Sequence, residues 1–246
     1  ASPMENAYGR PFVDFRTGEI LSCHIAVFHS VFDMLCQWYI AQTGESEEEF
    51  PDELAGRLLE MVVSHEVGHV LGLTHNFYGS SLCETEQLRD AVFLHRHGYG
   101  SSIMDYMRMN YAVQPEDGVD MSDRIPRIGA YDSLAIEWGY RYFPGLASEE
   151  IQEKLSVWIE KKQLERKYRF QDSGGNLPEA QAEDLGRYSL ETAELGMCHL
   201  KRLLRDTLRN NGRLSVESWN LAIRKQYSEY INQAFTYLGG IRKCWG

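Results

Sequence analysis

Closely spaced cysteine pairs are missing from this chain of 246 residues. Its five cysteines (Cys23, Cys36, Cys83, Cys198 and Cys244) include no C-x-x-C spacing. An odd number leaves at least one without a partner, so no disulfide framework can be read from them, and they are expected to be free and buried. Long apolar runs are missing too, since none approaches the ~20 residues that cross a bilayer. Nor is there an excess of positive charge. Lysine and arginine number 25 against 36 aspartates and glutamates, a formal net charge of −11, with neither a basic patch nor a basic tail. That argues against nucleic acid or an anionic membrane surface as a partner. Internal repeats and low-complexity tracts are absent. Ala1-Ser2-Pro3 brings neither an initiator methionine nor a basic-then-apolar leader, so the chain reads as a processed product or an excised piece.

What is present points to a folded, chemically equipped protein. The hydrophobic share of 43% and the length suit one core with an appended subdomain. The richest stretch is His65-Glu66-Val67-Gly68-His69-Val70-Leu71-Gly72-Leu73-Thr74-His75. On a helix, positions i and i+4 share a face, so His65 and His69 can hold one metal ion together. Gly72 stands where the helix must end in a sharp turn, because glycine enters positive φ without steric cost. That turn returns His75 as a third ligand. Three neutral nitrogens around Zn²⁺ leave a fourth position open, as in catalytic rather than structural sites. Glu66, beside the first ligand, is placed to act as general base. From average residue usage, five such residues at these offsets arise by chance with a probability on the order of 10⁻⁵ in a chain this long. An accidental helix rich in histidine is therefore set aside.

Along the rest of the chain, two β-type stretches flank a turn at Arg16-Thr17-Gly18-Glu19. The second, from Glu19 to Phe28, is nearly continuously apolar, which predicts a strand packed on both faces. His24 and His29 within or beside it are read as imidazoles satisfied locally. Val31 to Ala41 predicts a short helix, and Thr43 to Glu49 a solvated acidic loop. Pro51-Asp52-Glu53 opens the helix that carries the motif. Glu84 to Leu94 predicts a helix with Leu88 and Val92 inward, followed by His95 and His97 on an exposed loop. Met107 to Ile128 reads as a long irregular segment with Pro115, Gly118 and Pro126. Further helices are predicted over Tyr131–Tyr140, from Ser148 through Phe170, over about Glu183–Asn210, and from Ser215 to Gly239-Gly240. Breaks fall at Ser173-Gly174-Gly175-Asn176 and at Asn211-Gly212. In the last helix Trp219, Ile223, Tyr227, Ile231 and Phe235 predict an apolar stripe.

Ser102-Ile103-Met104-Asp105-Tyr106, about thirty residues after His75, resembles the Met-turn of metzincin zinc peptidases. The resemblance implies that Met104 forms an apolar floor beneath the three imidazoles. It also implies that Tyr106 binds zinc at rest or stabilises the oxyanion, as a phenol can do. Longer stretches resemble one group of bacterial metzincin-like metalloproteases, mostly secreted. They are Glu5-Asn6-Ala7-Tyr8-Gly9, Val13 to Ile20, His75-Asn76-Phe77, Ala130-Tyr131-Asp132, Ala135 to Tyr140, Gln181 to Gly186, and Tyr237-Leu238-Gly239-Gly240.

That likeness implies a helix-rich α+β fold. Residues 1–145 would form a metzincin-like zincin core, with a small and incomplete sheet plus the zinc helix. Residues 146–246 would form a helical C-terminal subdomain. Fewer than seventy residues precede His65, enough for about two strands, so the chain is expected to be the later part of a longer protein. The implied activity is zinc-dependent endopeptidase. A peptide or protein is the substrate, lying antiparallel to an edge strand within Glu19–Phe28. The implied location is secreted, periplasmic or at the cell surface, and oligomeric state is left open. A second reading is a peptide- or partner-binding module that keeps the zinc site with little turnover. Hydrolysis of a non-peptide amide at the same residues is a third.

Overall fold

A computed structural model describes residues 6–172, 177–209 and 216–240. Strands β1 (Ala7–Val13) and β2 (Ile20–Val27) pair antiparallel, with Gly9 opposite Ile25 and an irregularity at Phe12/Val13. The connection is fixed by Asp14. Its carboxylate accepts from the Arg16 backbone N–H at 2.9 Å and from the Arg16 guanidinium at 3.0 and 2.7 Å. Both strands pack on the helix that follows them in space. The expectation that Glu19–Phe28 is packed on both faces is not met: Leu21, Ser22, Cys23 and His24 are exposed. With only two strands in the sheet, no second layer among the described residues covers that surface.

Helix α1 (Val31–Thr43) ends on Gly44 at φ 72°, and α2 (Asp52–Val70) starts directly after Pro51 with Asp52 and Glu53 in its first turn. Val31, Leu35 and Tyr39 of α1 pack with Leu54 and Leu58 of α2 in one apolar cluster. The helix predicted over Glu84–Leu94 is divided. A 3-10 turn covers Gln87–Arg89, and α3 (Ala91–His97) begins after Asp90, whose carboxylate accepts from the N–H groups of Val92 and Phe93 at 2.9 and 3.0 Å. This cap shifts the helix phase. Leu88 and Leu94 are fully buried while Val92 is 61% exposed, contrary to the predicted inward face. His95 and His97 are exposed, on the last turn of α3 rather than on a loop.

The segment 107–128 has only two 3-10 turns (Pro115–Asp117 and Met121–Arg124), yet it supplies core residues. Met107, Tyr111, Ala112, Val113 and Val119 are buried in one cluster with Ala193, Leu200, Ile223 and Tyr230. Irregular backbone can lie inside only if its polar groups find partners. Here Tyr99 Oη shares its one hydrogen between the carbonyls of Arg108 (2.7 Å) and Arg124 (2.9 Å). The Asn110 amide donates to the Leu88 carbonyl at 2.8 Å, and the Gln114 amide to the Ala112 carbonyl at 3.1 Å.

Helices α4 (Ala130–Tyr140) and α5 (Ser148–Gln163) follow, α5 ending before the predicted Phe170 and burying none of its residues fully. Helix α6 (Ser189–Arg209) starts later than Glu183, which has φ 66° and lies in a turn. Helix α7 (Val216–Gly239) packs on α6 and on α1. Its buried positions are Ala222, Ile223, Gln226, Tyr230 and Gln233, whereas Tyr227 and Phe235 of the predicted stripe are exposed. A strict four-residue step advances 400° and so drifts about 40° per step from a helix face, which carries Phe235 away from the core. The predicted breaks at 173–176 and 211–212, the start at Ser215 and Cys244 lie outside the described residues. Cys36 and Cys83 are free and buried, but Cys23 and Cys198 are free and exposed, correcting the expectation for those two. Among the described residues no helix is long and apolar enough to cross a membrane. The architecture is helix-rich α+β, with seven α-helices and one two-stranded sheet in the described residues.

Candidate metal centre

His65 and His69 project from one face of α2, one turn apart. The helix ends at Leu71, and Gly72 adopts φ 88°, with its N–H donating to the His69 carbonyl at 3.0 Å. The reversal lets the Leu73 N–H reach the Gly68 carbonyl at 3.0 Å and brings His75 back beside the other two imidazoles. Ring centroids stand 4.8 Å (His65–His69), 5.3 Å (His65–His75) and 4.7 Å (His69–His75) apart.

Tautomers follow from the acceptors. His65 Nδ1 lies 2.7 Å from the Ile103 carbonyl and His69 Nδ1 lies 2.9 Å from the Leu73 carbonyl. A carbonyl can only accept, so both Nδ1 atoms carry hydrogen and both Nε2 atoms present lone pairs. The three ligand atoms lie within 4.8 Å of one another. His69 Nε2 and His75 Nε2 are 3.2 Å apart, close to the ~3.4 Å between nitrogens on a tetrahedral zinc ion. His65 Nε2 is buried without a protein partner, which is costly unless something binds it. Burial, reinforced by the neighbouring imidazoles, depresses His65 to about 4 against the pull of Ile103, and burial also lowers His75. Both are thus neutral near pH 7, the form that binds metal. The donor set fits zinc.

Glu66 is buried, and one carboxylate oxygen, Oε2, has no hydrogen-bond partner. Burial raises its pKa, opposed by His69 and by a hydrogen bond from the Gly9 N–H. Gly9 borders the candidate site, a position the sequence analysis did not single out. A Cβ there would stand 2.2 Å from the Glu66 carbonyl oxygen, so only glycine lets β1 approach the helix this closely. The available signal was a lone glycine within a strand pattern. It also shows that β1 reaches Glu66 directly. Pro11 lies two residues on, so its missing N–H falls on the same outer edge of the hairpin, where proline is tolerated.

Met104 is fully buried beneath α2. A Cβ at Gly68 would stand 2.2 Å from its sulfur, which explains a glycine inside the helix. The turn is held by Asp132, at the start of α4. Its carboxylate accepts from Ser102 Oγ (2.6 Å), the Ile103 N–H (2.7 Å) and the Gly129 N–H (2.7 Å). Ile103 is also the residue whose carbonyl orients His65, so Asp132 acts on the ligand through one residue. The Tyr106 ring stacks on His65 at 5.3 Å and lies 4.5 Å from His75. Burial, then the Glu66 charge, keeps its phenol protonated.

Asn76 is completely buried. Its N–H donates to the Met104 carbonyl at 3.1 Å, its amide donates to the Arg169 carbonyl at 3.0 Å, and its side-chain oxygen accepts from the Gln171 N–H at 3.0 Å. It therefore ties the third histidine to the Met-turn and to residues 169–171. His24, His29, His95 and His97 join no metal-binding group among the described residues. Residues 47–245 match the model of a family described as Met-zincin. No curated protein and no solved structure matches the chain.

Proposed function

The chain belongs to the Met-zincin family, and on that premise we propose that it is a zinc-dependent endopeptidase. The observation that carries the proposal is the pairing of three converging imidazole nitrogens with Glu66, a buried carboxylate with an unpartnered oxygen. Zinc held by His65, His69 and His75 supplies Lewis acidity toward a carbonyl oxygen and water. Glu66, its pKa raised by burial, takes a proton from the attacking water and delivers it to the leaving amine. Tyr106, protonated, donates its hydroxyl hydrogen to the substrate carbonyl oxygen as that oxygen gains charge. Gly72 and Met104 keep the ligands in place by ending the helix and flooring the site. An extended peptide lies antiparallel to the edge strand of the β1–β2 hairpin, within Glu19–Phe28.

Stripping the metal with a chelator should abolish cleavage of a peptide library, and adding zinc should restore it. Cleavage that survives complete metal removal would sink the proposal. The family resemblance also supports a secreted, periplasmic or cell-surface location, which fractionation of the native source tests. Recovery of the protein only with cytoplasmic markers would count against that location.

A further inference from the structure

The turn that returns His75 to the metal centre is poorly enclosed. Leu71, Gly72 and Thr74 are exposed, and a Cβ added at Gly72 would meet no atom within 4 Å. Yet the position of this turn sets two ligands. His69 Nδ1 donates to the Leu73 carbonyl at 2.9 Å, and His75 follows two residues later. The Gly72 and Leu73 N–H groups reach back to α2, to the carbonyls of His69 and Gly68. Exposed backbone around a glycine opens locally at little cost. Opening here would carry His75 off the site and take away the acceptor that orients His69.

A second element ties the turn down. Tyr140, the last residue of α4, donates its hydroxyl hydrogen to the Leu71 carbonyl at 2.9 Å. Leu71 is where α2 stops, so its carbonyl meets no donor from a further helical turn. At the other end of α4, Asp132 holds Ile103, whose carbonyl orients His65. About 12 Å of helix therefore separates the contact that sets His65 from the contact that sets the turn between His69 and His75. The Tyr140 end is itself anchored. Arg141 pairs with Glu137 one turn back, and its guanidinium lies 5.2 Å from the Trp158 ring of α5.

We propose that Tyr140 is a positioning residue of the metal centre. Its hydroxyl holds the Leu71–Leu73 turn closed, so that α4 braces all three imidazoles from its two ends. The inference rests on the zinc site of the endopeptidase reading, while its test needs no turnover.

The test compares the full chain as wild type, Tyr140→Phe and Tyr142→Phe. The last removes the hydroxyl of a tyrosine that is 84% exposed. Zinc affinity is measured by competition with a chromogenic chelator, and the visible absorption bands of the Co²⁺-loaded chains are compared. Tyr140→Phe is expected to bind zinc about fivefold more weakly, the scale of one modest hydrogen bond, and to show altered cobalt bands. Its metal-free melting temperature should stay within about 2 °C of wild type, because the loss is local. Tyr142→Phe should match wild type in every measurement. Unchanged zinc affinity and cobalt bands in Tyr140→Phe overturn the inference. So does an equal weakening in Tyr142→Phe, or a metal-free melting temperature lowered by more than about 5 °C, which marks general destabilisation. The expected loss, seen in a chain whose wild type binds zinc but cleaves no peptide, upholds the inference and removes the endopeptidase reading instead.

Discussion

Gly68 illustrates a residue chosen against its own local preference. Inside a helix, glycine costs up to ~1 kcal/mol relative to alanine, yet an added Cβ would meet Met104 sulfur at 2.2 Å. Overpacking of that kind costs ~1–3 kcal/mol, so the packing effect wins. Gly68→Ala should therefore lower the urea midpoint of unfolding, with an unchanged slope, despite its better helix propensity. A midpoint equal to or above wild type would show that Met104 yields freely. The three histidines and Glu66 were legible in the sequence because one helix and one turn relate them all. Gly9, Gly68 and Asp132 were not, since the reason for each lies on another segment: Glu66, Met104 and the Ser102–Ile103 backbone.

At the scale of elements, the zinc helix was readable because its period, its acidic first turn and its stop at Gly72 agree. Segment 107–128 was not, because its burial follows no helical or strand period. Its polar backbone groups are met by side chains instead: carbonyls by Tyr99 and Gln114, and the Ala112 N–H by Asn110. The loop after His75 is joined to the segment before α6 in a similar way. Ser80 donates its backbone N–H to Asp105 (2.7 Å) and its hydroxyl to Asp184 (2.6 Å). Burial pushes Asp184 up to about 7, and burial together with the Asp184 charge lifts Asp105 well above the usual carboxylate range. An unfolded aspartate titrates near ~3.9, so the folded chain holds protons that the unfolded chain releases. The stability from this effect is full below pH ~4 and is lost as the pH rises to about 7. Asp184→Asn stays uncharged and still accepts from Ser80. Its melting temperature should gain on wild type more at pH 8 than at pH 5, and an equal difference at both pH values would contradict the buried carboxyl.

For the whole molecule, the metal centre is assembled from distant parts of the chain. Helix α2 supplies two ligands and Glu66, β1 contributes the Gly9 N–H, and Asn76 fastens His75 to the Met-turn and to residues 169–171. The sequence made the chemistry readable and left this wiring hidden, because hydrogen bonds such as Asn76 to Arg169 span 93 positions. The most direct test of the account is zinc content and peptide-library cleavage measured side by side for wild type and Glu66→Gln. The account predicts about one zinc per chain in both, cleavage by wild type, and a loss of ~10²–10⁴-fold in the variant. Undiminished cleavage by zinc-loaded Glu66→Gln would contradict it.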